Sequence, residues 1–478
     1  MKQIPSPRLL LLCLGALTNW ALAATPSVSV SVNPSIQFQE VDGFGCSEAF
    51  QRAEDVLGKD GLPPVNQTLV LNLLFDQTVG AGFTILRNGI GSSNNSASNL
   101  MNSIEPFPPS DSSPSSPPHY VWDGYDSGQF PLAEQAYQRD LQSLYANAWS
   151  APGYMKTNHD ENYGGYICGV ANTSCSTGDW MQAYANYLIQ YVRFYHEAGV
   201  KVTHLGFLNE PQYAADYASM LSSGAQAADF IRVLAKTVKE SGFELQLTCC
   251  DGIGWDDQEA MLPGLHAGPD PAIQYLSVLT GHGYDSPPSY PLSTAHKTWL
   301  TEWADLTGDY TPYTFYQDGG QGEGLTWASR IQVAFTQANT SAFLYWIGAE
   351  NSTTNSPLIN LLDGVVVPSK RFYAFAQFSR FVRPGARRVE AASSNPVVTV
   401  SAFRNQDGTL ATQVINNATS SYEIDVKVDG LETGVSVQPY LTNNEYDLEP
   451  LAEIRTTENG TFKGRVPARS MISFVASR

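Results

Sequence analysis

The sequence predicts an α/β protein: a (β/α)8 barrel with a β-sandwich attached to its side. Three observations carry this expectation. Eight apolar runs between residues 43 and 347 alternate with segments of helical periodicity; short alternating stretches replace them after about Val389; and a lone Val-Ser strand stands near the start. At 478 residues the chain is too long for one ordinary core, which suits a large barrel with a companion domain.

Residues 1–23 read as a signal peptide. Lys2 and Arg8 precede an apolar stretch from Leu9 to Ala23 that ends in Ala21-Leu22-Ala23, a small-x-small cleavage pattern. The stretch is short for a membrane span, so a secreted, extracellular protein beginning near Ala24 is expected. Residues 24–40 hold the strand from Ser27 to Val32, which has no sheet nearby and is assigned to the sandwich. Residues 41–385 form the barrel, with strands at 43–45, 83–87, 141–149, 204–208, 243–249, 273–281, 297–301 and 342–347. Helices are expected at 180–198, 225–241 and 326–338. A Pro- and Ser-rich loop at 105–118 falls after the second barrel strand. Residues 386–478 form an antiparallel sandwich, with strands at 396–403, 410–414, 422–428 and 471–475 and turns at Asp407-Gly408 and Asp429-Gly430.

The formal net charge is −19, and loss of Lys2 and Arg8 with the signal would make it −21. Such a surface repels nucleic acid and anionic membranes and suits a soluble extracellular enzyme, expected to be a monomer, without naming its substrate; the polysaccharide substrate expected for it comes from the residues below. Glycosylation triplets begin at Asn66, Asn94, Asn172, Asn339, Asn351, Asn417 and Asn459. Cys13 lies in the signal, leaving Cys46, Cys168, Cys175, Cys249 and Cys250. Cys168 and Cys175 flank a short polar loop and form the preferred disulfide. Cys46 with Cys249 or Cys250 is an alternative that the spacing does not support; the vicinal Cys249-Cys250 is read as buried thiols at a strand end, since free cysteine is among the most buried residue types, rather than as a metal site, for which no second Cys or His cluster is present. No metal or cofactor is expected: the chain lacks His-Glu-x-x-His, a Gly-x-Ser-x-Gly elbow and a phosphate-binding glycine loop.

Glu210 and Glu302 carry the chemistry. Each ends an apolar run, in Leu205-Gly-Phe-Leu-Asn-Glu-Pro211 and Trp299-Leu-Thr-Glu-Trp303. Catalytic groups on a (β/α)8 barrel project from strand ends, and roughly 30 residues per strand-helix unit puts these two glutamates three strands apart. Two carboxylates across a barrel mouth are the equipment of a glycosidase, one as acid/base and one as nucleophile. Asn-Glu-Pro alone also reads as a helix start. Asn209 is placed to hold a sugar hydroxyl, Trp303 to limit water, and Arg87 to keep Glu302 ionised. Tyr284 and His282 follow the sixth strand, as nucleophile partner or sugar ligand. Trp149 and Trp346 close the third and eighth strands as stacking faces for sugar rings. Glu48, Asp251, Asp285, Asp305 and Glu350 read mostly as caps, turn residues or hydrogen-bond partners.

With those residues in place, the chain resembles glycoside hydrolase family 30, in its fungal xylan-active branch. The resemblance rests on Asp42-Gly-Phe-Gly45, Ser47-Glu-Ala-Phe50, Leu86-Arg-Asn-Gly89, Ala148-Trp-Ser-Ala-Pro152, Phe207-Leu-Asn-Glu-Pro211, Gly281-His-Gly-Tyr284 and Leu300-Thr-Glu-Trp303. It implies a barrel with a side sandwich built from both chain ends, Glu210 as acid/base and Glu302 as nucleophile. It also implies retaining cleavage of β-1,4-linked xylan, as a glucuronoxylanase or an exo-acting xylobiohydrolase. Arg52 matches the basic residue that fungal members use for a uronate branch, although a solvated helix-face arginine is the ordinary alternative. The other readings are a β-1,6-glucanase or β-glucosidase of the same family, and a non-catalytic carbohydrate-binding protein.

Overall fold

A computed structural model describes residues 25–94 and 101–477; the expected signal segment, with Cys13, lies outside them. The chain opens with β1 (Ser27–Glu40), followed by the barrel strands β2 (Gly43–Ser47), β3 (Ile85–Ile90), β4 (Ser143–Ala148), β5 (His204–Gly206), β6 (Gln246–Gly252), β7 (Val278–His282), β8 (Lys297–Glu302) and β9 (Ala342–Glu350). Strands β2 to β9 pair in parallel in chain order, and β9 pairs with both β8 and β2, so the sheet closes on itself. Closure leaves no free edge and directs every strand's C-terminal end to one face. A hairpin of β10 (Pro357–Leu362) and β11 (Val365–Pro368) extends β9.

Around the barrel stand α1 (Arg52–Leu57), α2 (Pro64–Phe75), α3 (Gln129–Tyr137), α4 (Met181–Glu197), α5 (Gly224–Ser241), α6 (Trp255–His266), α7 (Gly324–Thr336) and α8 (Lys370–Ser379). Helix α5 shows why such segments are helical. Ser223 Oγ accepts from Gln226 N–H while the Gln226 side chain accepts from Ser223 N–H, a reciprocal cap, and Gly242 at φ 76° ends the helix where a side chain would be strained. Its buried stripe, Phe230, Ile231, Leu234 and Val238, recurs at helical spacing and packs inward. The expected strand at 273–281 is corrected in its first half. Ala272–Tyr275 forms a 3-10 turn after Pro271, and the strand starts only at Val278.

The second domain uses β12 (Arg387–Ser393), β13 (Val398–Arg404), β14 (Leu410–Asn416), β15 (Tyr422–Val428), β16 (Ser436–Thr442), β17 (Glu449–Pro450), β18 (Ile454–Arg455), β19 (Thr461–Val466) and β20 (Ser470–Ala476). Its sheet order is β17-β16-β20-β14-β13-β12-β1-β15-β19, with β18 on β16. The sheet folds over so that Phe462 of β19 meets Phe474 of β20 with ring centroids 5.4 Å apart. Strand β1 alternates as its sequence does: Val28, Val30 and Val32 are buried and the serines point out. It pairs antiparallel with β12 but parallel with β15, so the sandwich is not wholly antiparallel.

Candidate active site

The strand ends gather a buried network around Arg87 of β3. Its guanidinium lies over the Trp149 ring at 4.3 Å, donates to a Glu302 carboxylate oxygen, and gives Nη2 to Asn209 Oδ1 at 2.6 Å and Asp251 Oδ2 at 2.8 Å. Asp251 also accepts from Tyr145 Oη at 2.8 Å, Asn147 Nδ2 at 2.7 Å and Thr301 Oγ1 at 2.5 Å. Burial disfavours the Asp251 charge, but Arg87, His282 and Thr301 overcome it and hold the carboxyl well below the usual range. Arg87 and Asp251 are thus a fully buried ion pair that fixes the floor of the site.

Above that floor stand the two glutamates. Glu302, the last residue of β8, is only 5% exposed, and Tyr284 Oη donates to its second oxygen at 2.9 Å. Burial pushes its carboxyl up, against the opposing charges of His282 and Arg87. Glu210 is 6% exposed and lies just past β5. It takes a left-handed φ of 46°, as Asp251 does at 50°, and its N–H donates to Asp251 C=O at 2.8 Å. Two non-glycine residues in that region, tied by one hydrogen bond, are backbone strain held by the surrounding fold.

His282 Nδ1 is 3.0 Å from Glu210 Oε1, and Tyr217 Oη donates to Glu210 Oε2 at 3.4 Å. Burial works against the imidazolium, but Glu302, Asp251 and Glu210 outweigh it and lift the ring to about 9, so it is charged at neutral pH. One oxygen of Glu210, one ring nitrogen of His282 and one oxygen of Glu302 lie within 4.8 Å of one another. This is the group of described residues whose spacing suits a cation, but the charges of Arg87 and His282 already occupy that role.

The expected residues do not all sit as the sequence suggested. Glu210, Glu302, Asn209, Arg87, His282 and Tyr284 come together. Trp149 is a support rather than an open sugar platform: it is 2% exposed, with Arg87 on its face and Phe50 against it, ring centroids 5.3 Å apart. Trp346, 5.9 Å from Trp149, is the more open of the pair. Trp303 turns away from the mouth toward Trp327 and Arg330. Arg52 sits near the rim but its Nε is paired with Glu350 Oε1 at 2.9 Å, and its Nη1 donates to Phe50 C=O at 2.7 Å.

Of the readings the sequence left for Asp251, cap, turn residue or hydrogen-bond partner, the structure shows the last, with the residue at the hub of the network; Tyr145, Asn147, Thr301 and Tyr217 were missed. Tyr145 and Asn147, two apart in a fully buried strand, carry the signal that would have found them, since polar groups at that spacing face one side. Cys168 pairs with Cys175, and Cys249 pairs with its neighbour Cys250, which corrects the expectation of buried thiols; Cys46 is the free, buried cysteine. None of the seven glycosylation asparagines is buried.

Comparison with known proteins gives this constellation a context. Residues 124–298 match the glycosyl hydrolase family 30 TIM-barrel domain and residues 385–474 the family 30 β-sandwich domain. The catalytic domain of xylanase C from Talaromyces cellulolyticus, also of this family, is 42% identical, with 94% of this chain and all of that one covered and a TM-score of 0.86. The chain belongs to glycoside hydrolase family 30. Within the family it is 24% identical to a glucuronoxylanase of Bacillus subtilis over 354 residues, covering 70% of this chain and 74% of the relative. It is also 25% identical to an endo-1,6-β-D-glucanase of Aspergillus fumigatus over 332 residues, 64% of each chain. Family 30 therefore spans more than one glycan, and the chain is a glycoside hydrolase whose bond preference rests on its own cleft.

Proposed function

We propose that this family 30 enzyme is a secreted, retaining hydrolase of β-1,4-xylosidic bonds in xylan, including glucuronoxylan. The spacing of the carboxylates carries the chemistry. Retaining glycosidases hold their two carboxyl groups about 5–5.5 Å apart and inverting ones roughly 6.5–9.5 Å apart. One oxygen of Glu210 lies within 4.8 Å of one oxygen of Glu302, a closeness that supports the retaining class over the inverting one.

Roles follow from the partners of each. Glu302 is held by Arg87 and Tyr284, which donate to its two oxygens and favour the anion that attacks the anomeric carbon. As that bond forms, the glycosidic C–O bond breaks and Glu210 gives its proton to the departing oxygen. Glu210 then takes a proton from water, which attacks the glycosyl-enzyme and releases Glu302. His282, charged and 3.0 Å from Glu210, stabilises the carboxylate left after the first step.

The xylan preference is supported by the 42% identity to a xylanase across nearly the whole chain. Secretion is supported by the apolar stretch before Ala24, two disulfides and seven glycosylation triplets on unburied asparagines. One observation favours a second reading, a β-1,6-glucanase: Arg52 is paired with Glu350, so a uronate must compete for it. The test is a parallel assay of glucuronoxylan, arabinoxylan and β-1,6-glucan, with products sized and the first-formed anomer read by NMR. Xylan cleavage releasing the β-anomer is expected. Release of the α-anomer would overturn the retaining mechanism, and glucan cleavage without xylan cleavage would transfer the enzyme to the second reading.

A further inference from the structure

Away from the glutamate pair, a second cavity of about 450 Å3 lies where α7 and the loops around β8 meet the sandwich. Trp303, Tyr316, Pro287, Leu325, Arg330 and Arg469 are among its lining residues, and no carboxylate is. Both guanidiniums rest on rings. Arg330 lies 4.3 Å over Trp303 and 4.6 Å over Trp327, and Arg469 lies 4.0 Å over Tyr316. Their hydrogen bonds go to neutral acceptors, the Gln321 side chain for Arg330 and the Asn417 carbonyl for Arg469. Arg469 Nε is buried without a partner. Among the described residues no carboxylate lies within 4.0 Å of either guanidinium.

That is an unusual allotment for this chain. It has 46 acidic and 27 basic residues, so acids outnumber the cations they might pair with. Two guanidiniums nevertheless face one cavity without an acid in its wall. A partly buried guanidinium with no carboxylate in contact has capacity for one, and it matches a carboxylate in charge and planar geometry. The rest of the wall is ring and aliphatic surface, and the volume falls within the roughly 300–1,000 Å3 of small-molecule sites.

We propose that this cavity is a second binding site, separate from the catalytic pair, for a carboxylate carried on a six-membered ring. The carboxylate would lie between Arg330 and Arg469 and the ring against Tyr316 and Pro287. A uronic acid sugar and a hydroxylated aromatic acid share this chemistry. The site also has a route to the reaction, because Trp303 directly follows Glu302 and its carbonyl accepts from Trp346 N–H at 3.2 Å. A ligand pressing on Trp303 acts on the residue next to the nucleophile.

Calorimetric titration of the full chain at low salt tests this, with glucuronate and 4-hydroxybenzoate as probes and xylose and acetate as controls. Binding of one or both ring acids is expected, with xylose and acetate inert; which acid binds identifies the source. Arg469→Gln should weaken Kd by roughly tenfold to 150-fold, as loss of charge-assisted hydrogen bonds requires, while Arg52→Gln, at the catalytic rim, should leave the Kd of the aromatic acid unchanged. Arg330 packs between two tryptophans, so Arg330→Gln is judged only if its Tm matches the parent, and Arg469→Gln carries the decision otherwise. The proposal is overturned if neither acid binds at millimolar concentration, if xylose or acetate binds equally well, or if Arg469→Gln leaves Kd unchanged. Loss of binding in Arg52→Gln with retention in Arg469→Gln would equally remove it, placing the acid in the catalytic cleft.

Discussion

The barrel mouth and the sandwich core are both buried, yet they are filled by opposite means. Between the folded halves of the sandwich Val28, Val30, Val32, Ile424, Val426, Phe462 and Phe474 pack as one apolar cluster. At the barrel mouth Arg87, Asp251 and His282 are as fully enclosed, and the two glutamates nearly so. Apolar burial stabilises in proportion to area, whereas buried charge costs desolvation that its partners must offset. The sandwich thus supplies stability that the mouth does not need to supply, and the mouth is free to hold charge where chemistry uses it.

The sharpest break in this comparison is at the glutamates. Glu302→Ala should lower turnover by several orders of magnitude with little loss of Tm, and azide should restore a product of inverted configuration. Glu210→Ala should keep activity on aryl glycosides whose leaving group needs no proton, and azide should there give retained configuration. Swapped rescue outcomes would reverse the two roles.

Arg87→Met should fail on both counts. It takes from buried Asp251 the nearer of its two cations and leaves only His282, costing about 3–5 kcal/mol in denaturant unfolding. It also removes a charge that opposes the upward shift of Glu302. The nucleophile must be ionised, and without Arg87 it holds its proton to higher pH, so the acid limb of kcat/KM should move upward. An unmoved limb would mean that Arg87 does not tune Glu302.

Phe474→Ala sets the opposite case. Truncating this buried ring should cost about 3–5 kcal/mol of sandwich stability while kcat at low temperature stays near the parent value. A large fall in kcat in still-folded protein would show that the sandwich helps shape the mouth. The smallest expected effect is at the rim. Arg52→Ala should lower kcat/KM on glucuronoxylan by about tenfold, since the uronate must first displace Glu350, and should leave undecorated xylooligosaccharides nearly unchanged. An equal fall on both substrates would make Arg52 a structural partner of Glu350.

The legibility of the sequence divides along the same line. Apolar periodicity announces each barrel strand and the alternation of β1, because burial writes itself into residue type at fixed spacing. Glu210 and Glu302 are legible because a carboxylate ending such a run needs a reason to be there. Asp251 is legible only as one hydrogen-bond partner among several, since it follows Cys249-Cys250 with no pattern of its own, and its left-handed backbone and the convergence of Arg87, Tyr145, Asn147 and Thr301 reveal its central place. The Arg52–Glu350 pair is hidden for a different reason: its partners are 298 residues apart, and pairing over that distance leaves no local trace.

Strand β1 gives the chain a schedule as well as a shape. Its partners in the sandwich are distant, Ser29 meeting Ser394 across 365 residues, and synthesis proceeds at about 5–20 residues per second. Strand β1 therefore waits roughly 20–70 s after it is made, its alternating valines and open backbone edge uncovered, while the whole barrel is translated. An edge of that kind is a template for pairing with another chain. The same stretch that closes the sandwich is thus, on a crowded ribosome, the part of the molecule most exposed to the wrong neighbour.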